Sequence, residues 1–206
     1  TPYYTTKDKN NNPMPNLDES MYSGIETKLM NRSLRAMQLF SDLSSVSYVD
    51  FKNIKFDLAY AKDSNMAHYV NKAKGLIKDS KDQNLSQAFE ILNNWDLRTD
   101  ISNANAALPI ISFGKFVDSS VENISDNMLI SGLKNGINYL NKKFGKLKVL
   151  WGDINKLIRG DVKLSLAGGP DILRAIYPIP TKEGYLKSIA GDAYMALVQW
   201  DNNGNI

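Results

Sequence analysis

The sequence predicts an α+β fold, mostly helical at first and β-stranded towards its end. Three observations carry this reading. Apolar residues recur at helical spacing in six segments between residues 25 and 145. Two short runs near the end, Leu186–Ala190 and Tyr194–Trp200, carry β-prone residues. Between these regions lies a stretch dense in glycine, aspartate and proline. The division is therefore a polar loop over 1–24, a helical segment over 25–145, and a glycine-rich loop with strands over 146–206.

Residues 1–24 hold Asp8, Asn10, Asn11, Asn12, Pro13, Pro15 and Asn16, which is loop chemistry with no apolar period. From about Ile25 to Phe40, Ile25, Leu29, Met30, Leu34, Met37 and Phe40 fall at helical spacing. Ser47 followed three residues later by Asp50 has the form of a capping box, opening a helix through Phe51, Ile54 and Leu58. A third helix is expected over Ser64–Lys78, weakened by Gly75, and a fourth over Leu85–Trp95. A fifth passes through Ala104, Ala107, Leu108 and Phe116, where Pro109 marks a first turn or a kink. The sixth runs from Ser125 to Phe144, with Gly145 as its stop signal.

Beyond Gly145 the punctuation thickens. Gly152, Gly160, Gly168 and Gly169 permit positive φ or close backbone approach, Pro170 fixes the exit from the glycine pair, and Asp153 and Asp161 can tie down turns. Read on pattern alone, this is a long irregular surface loop. Tyr194–Trp200 is apolar on both faces, as in a strand buried between layers, and Asp201-Asn202-Asn203-Gly204 reads as a hairpin turn. A terminal strand needs partners, so the chain is expected to be a piece of a larger α+β body.

Bulk properties exclude several classes. Among 206 residues, 43% are hydrophobic and 10% aromatic, which argues against disorder throughout. The net charge is only +3, and the one basic cluster, Lys142, Lys143, Lys146 and Lys148, suits a solvated helix end better than a nucleic-acid site. The absence of cysteine excludes disulfides and thiolate metal sites. No apolar run reaches the length of a membrane span, and the chain opens on a polar loop, with no signal-peptide pattern. Neither a membrane nor a nucleic acid is expected as a partner.

Single-residue candidates are few. His68 is the only histidine and lacks a triad-like neighbourhood. Asp153, Asp161 and Asp192 lack EF-hand spacing, and Gly168-Gly169-Pro170 is no phosphate loop, because no Gly-Lys-Ser/Thr follows. Trp95, Trp151 and Trp200 read as core or loop anchors.

Several motifs in order carry a resemblance. They are Thr1-Pro2-Tyr3-Tyr4-Thr5-Thr6; Met30-Asn31-Arg32-Ser33-Leu34-Arg35-Ala36; Trp95-Asp96 leading to Asn105-Ala106-Ala107-Leu108; and Trp151-Gly152-Asp153 with Leu157, Gly160 and Asp161. Gly168-Gly169-Pro170, Leu173-Arg174-Ala175, Ala190-Gly191-Asp192-Ala193-Tyr194 and Gln199-Trp200-Asp201 complete the series. Together they resemble the late part of the large subunit of penicillin-acylase-type enzymes, in the branch of the acyl-homoserine-lactone and aculeacin acylases. These are N-terminal-nucleophile hydrolases with an αββα fold. A serine exposed by autoproteolysis attacks the amide carbonyl, its own α-amino group acts as base, and a backbone N–H with an asparagine side chain holds the oxyanion.

The resemblance implies a fragment of an amidohydrolase acting on N-acylated small molecules: a β-lactam, an acyl-homoserine lactone or a lipopeptide. It implies that the partners are the rest of the large subunit and the small subunit, that the compartment is periplasmic or extracellular, and that no cofactor is required. A structural calcium ion is possible in the parent, with Asp18 a conceivable ligand. Thr1 would align just after the oxyanion asparagine, so it is not read as the nucleophile. The one catalytic candidate carried over is Arg32, whose family counterpart helps to orient the catalytic asparagine and the substrate. Here the loop before it is longer than in penicillin acylases. Alternatively Arg32 is a helix arginine paired with a local carboxylate such as Glu26, while Arg35 reads as structural. The rival for the whole chain is a non-catalytic helical binding module with a short β-ribbon.

Overall fold

The computed structural model describes residues 29–191, 196–201 and 203–204. The polar loop at 1–24, Thr1, Asp18, Glu26 and the start of the first expected helix lie outside them, as do Asp192, Tyr194 and Met195.

The fold is α+β. Seven α-helices precede and lead into a four-stranded mixed sheet among the described residues: α1 (Asn31–Phe40), α2 (Tyr48–Lys55), α3 (Asn65–Ile77), α4 (Gln83–Asn93), α5 (Ala107–Phe113), α6 (Asp126–Phe144) and α7 (Trp151–Ile154). The strands are β1 (Asn155–Arg159), β2 (Val162–Ser165), β3 (Ile176–Pro180) and β4 (Leu186–Gly191).

Local chemistry sets the helix starts. The Ser47 side chain accepts from the Asp50 amide while Asp50 reaches back to the Ser47 amide, the expected capping box. Ser64, Asp82 and Ser125 cap α3, α4 and α6 in the simpler form. Pro109 falls in the first turn of α5, where its missing N–H costs nothing, and Gly145 ends α6 in the left-handed conformation with φ 66°. α2 stops at Lys55, before Leu58, because Phe56 leaves the helical region.

The core gathers where α3, α4, α5 and α6 meet, around Tyr69, Leu92, Leu108, Phe113, Leu129, Leu133 and Leu140. Trp151, Ile154 and Ile172 extend it beneath the sheet, each fully buried. α1 and α2 contribute little to it: Asn31 and Ser33 are the buried residues of α1, and Ile54 is that of α2.

Strand order is β2-β1-β4-β3; β1 pairs antiparallel with β2 and parallel with β4, and β3 pairs antiparallel with β4. The expected strand at 186–190 is present as β4. Two expectations are corrected. The glycine-rich stretch is not one irregular loop: Gly160-Asp161 turns the β1–β2 hairpin, whose register pairs Leu157 with Leu164. Residues 196–200, expected as a buried strand, have no regular secondary structure, and Trp200 is 59% exposed. β1 escapes the sequence pattern because Asn155 and Lys156 precede the adjacent pair Leu157-Ile158, and β2, which alternates over Val162-Lys163-Leu164-Ser165, is only four residues long. Within the expected turn at 201–204, Asn202 lies outside the described residues, and the Gly204 amide donates to the Asp201 carbonyl at 3.0 Å.

The glycines near Trp151 serve packing. A Cβ on Gly152 would lie 2.7 Å from Ile101 Cβ, so only glycine lets α7 approach the 100–103 turn. There the Gly152 amide donates to Ile101 O at 2.8 Å and the Trp151 amide to Asn103 O at 2.9 Å. The Trp151 indole N–H reaches Gly168 O at 2.8 Å, and the Gly168 amide returns to Thr99 O at 3.2 Å.

Candidate site around Arg32 and Asp171

Those bonds make residues 97–103 a seam. On one side the Tyr60 amide donates to Leu97 O and the Thr99 amide to Leu58 O, both at 2.9 Å. On the other stands the segment 168–175. Motifs from four distant parts of the chain thus converge: Met30-Asn31-Arg32, the segment after Trp95-Asp96, Trp151-Gly152, and Gly168 to Arg174.

In the last of these segments lies Asp171, which joins it to the first. It holds a left-handed backbone, φ 57°, which aspartate tolerates better than most residues, and it is 1% exposed. Its Oδ2 accepts from the Asn31 amide at 2.9 Å. α1 has Met30 at its N-cap position, with no side-chain cap, so Asp171 supplies the capping carboxylate from 140 residues away. Asn31 completes the clasp. Its side-chain amide donates to Asp171 O at 2.7 Å, and its Oδ1 accepts from the Ala61 amide at 2.7 Å.

Arg32 lies beside this carboxylate, Nε 3.6 Å from Asp171 Oδ1, with its side chain 44% exposed. Oδ1 is buried and makes no hydrogen bond among the described residues. Arg32 is therefore steered by a buried charge while its side chain stays partly exposed. The long-range partner was not foreseen; Glu26, the local carboxylate considered for it, lies outside the described residues. Arg35, by contrast, is held in a fork by Asp57 at 2.8 and 3.1 Å, the structural role expected of it.

Burial pushes the Asp171 carboxyl up to about 6, against the opposing pull of the Asn31 amide and Arg32. Tyr60, whose hydroxyl donates to Pro170 O at 2.6 Å, is pushed well above the usual tyrosine value by burial and then by the Asp171 charge. Tyr177 is also raised by burial, and Arg32 works against that shift. The arrangement is a buried carboxylate poised to titrate near neutrality, with a half-exposed guanidinium over it.

Asp171, Asn31, Tyr60 and Tyr177 were missed as site residues. The signal for two of them was present: Asn31 adjoins Arg32, and Asp171 follows Gly-Gly-Pro inside an apolar run. The other candidates stand apart. His68 is exposed on α3, and Asp153 and Asp161 are exposed. Among the described residues no group of three or more His, Cys, Asp or Glu side chains gathers as for a metal ion. Likewise no helix among them is long and apolar enough to cross a membrane.

Set against known proteins, the chain matches no family model and no curated sequence.

Proposed function

We propose that this chain is part of the large subunit of a penicillin-acylase-like amidohydrolase that cleaves the amide of N-acylated small molecules. The nucleophile would be an N-terminal serine from outside residues 1–206, and the parent would work in the periplasm or outside the cell, without a required cofactor. The serine hydroxyl adds to the amide carbonyl, giving its proton to the α-amino base. Collapse expels the amine with that proton, and water releases the acid from the acyl-enzyme. Arg32 is a positioning residue in this scheme: it orients the asparagine that shares the oxyanion with a backbone N–H.

The observation that supports the reading is that Arg32, in the Met30-Asn31-Arg32 motif, lies beside Asp171, in the Gly168–Arg174 motif. A partly exposed guanidinium held beside Asp171 suits the holding of an amide oxygen contributed by another segment. The proposed partners, the rest of the large subunit and the small subunit, have a surface to cover. Phe40, Leu43, Val46, Tyr48, Val49 and Phe51 expose 37–62% of their area along α1 and α2. That same surface is what a non-catalytic binding module would offer, so the test must read chemistry. Residues 1–206 are assayed on a chromogenic N-acyl substrate alone and after co-production with the rest of the precursor. Turnover only in the assembled enzyme is expected. Turnover by residues 1–206 alone, abolished in Thr1→Ala, would overturn the assignment, and inactivity of both would favour the binding module.

A further inference from the structure

The two oxygens of the Asp171 carboxyl do different work. Oδ2 accepts from the Asn31 amide at 2.9 Å and so caps α1. Oδ1 is buried and accepts no hydrogen bond among the described residues, although Arg32 Nε lies 3.6 Å away. That separation exceeds the roughly 2.9 Å of a charge-assisted hydrogen bond, so Arg32 is held at Oδ1 by charge alone.

A proton added to this carboxyl goes to the oxygen with unused lone pairs, which is Oδ1. Once there, the O–H is a donor facing a guanidinium that has only donors to offer. Attraction turns to repulsion, and Arg32, its side chain 44% exposed, has solvent to move into. Oδ2 still accepts from the Asn31 amide, and Asn31 keeps its bonds to Asp171 O and the Ala61 amide at 2.7 Å each. The helix stays in place while one side chain leaves.

We propose that Asp171 is an acid-operated switch for Arg32: a proton taken up on Oδ1 releases the guanidinium and leaves the cap of α1 intact. The effect on turnover rests on the amidohydrolase reading, whereas the movement of Arg32 does not. Burial favours the protonated carboxyl, and Asp118, exposed in the turn after α5, works in the same direction. The Asn31 amide and the side chain and amide of Arg32 pull the other way. Tyr60 and Tyr177 also face this charge, and burial keeps both protonated through the neutral range. Asp118 is the other carboxylate of the group, so its charge is separated from that of Asp171 by substitution.

Isotope-labelled residues 1–206 are taken from pH 8 to pH 4, and the arginine Nε shifts are read by NMR through Cζ. Arg32 is assigned by its loss in Arg32→Lys. Its signal should follow one titration curve with a midpoint near pH 6, which Arg35, forked on Asp57, should not follow. Asp171→Asn presents an amide donor at every pH and should hold Arg32 at its acid position throughout. Asp118→Asn, on an exposed side chain, should keep the titration with a slightly lower midpoint. An Arg32 signal flat from pH 8 to pH 4, a titration that survives in Asp171→Asn, or one lost in Asp118→Asn would overturn the proposal. Wild type and Asp118→Asn decide it even if Asp171→Asn does not fold. In the assembled enzyme Asp171→Asn should lower kcat/KM at pH 8 about tenfold, since Arg32 keeps its charge and loses its tether. Undiminished kcat/KM in that variant would overturn the link to turnover. An assembled wild type without turnover would sink the amidohydrolase reading, with the Arg32 titration still deciding the switch.

Discussion

At the scale of single residues, the informative group is Asp171. Its folded-state pKa, about 6, lies above the ordinary 3.8 because burial disfavours the charge. The sign follows. The unfolded chain releases this proton first, so the stability Asp171 lends is complete below about pH 4 and is lost as pH rises through 6. Asp171→Asn keeps the shape, tolerates the left-handed backbone and still accepts from the Asn31 amide. Its melting temperature at pH 7 should equal or exceed that of the wild type, with a flatter profile between pH 4 and 7. A variant less stable at pH 7, with the wild type weakening on acidification through pH 6, would show the ionised carboxylate to be a net stabiliser. Arg32 was singled out by the resemblance alone, through Met30-Asn31-Arg32 at the start of α1. Asp171 was not legible, because a cap provided across 140 residues leaves no local spacing to read.

At the scale of elements, helices were legible wherever the cap was local. Ser47, Ser64 and Ser125 each precede an apolar period, and each caps its helix. Ser125→Ala should cost about 1 kcal/mol, read by denaturant unfolding as a shifted midpoint with unchanged slope. The β1–β2 hairpin was hidden because β2 offers only four alternating residues, all exposed, and β1 does not alternate. Its neighbour α7 was masked by glycine punctuation that serves packing instead of a turn. Gly152→Ala tests this: a methyl group 2.7 Å from Ile101 Cβ should cost about 1–3 kcal/mol. Gly160→Ala meets no atom within 4 Å and suffers only its φ of 56°. A Gly152→Ala midpoint equal to wild type would mean that the Trp151 seam yields freely.

At the scale of the whole molecule, the α+β class was legible, since long helical periods and a β-prone end survive any error at boundaries. The sheet order was not, because pairing β1 parallel to β4 depends on the route of residues 166–175, which the seam at Thr99 and Gly168 decides. The exposed apolar run over α1 and α2 carries a prediction at this scale. Residues 1–206 alone should self-associate with rising concentration in sedimentation experiments, and Val49→Lys with Phe51→Lys should suppress this. Association unchanged in that double variant would place the sticky surface elsewhere.

The central claim is that Arg32 orders the oxyanion asparagine in the assembled enzyme, and kcat/KM tests it most directly. Arg32→Ala and Arg32→Lys are measured alongside thermal unfolding, with Arg35→Ala as the structural control. An ammonium lacks the guanidinium fork, so both Arg32 variants should lose about 10²–10³ in kcat/KM with melting temperatures near wild type. Arg35→Ala should lower the melting temperature and spare kcat in the folded fraction. Near-native turnover by Arg32→Ala would contradict the account and leave Arg32 as no more than the partner of Asp171.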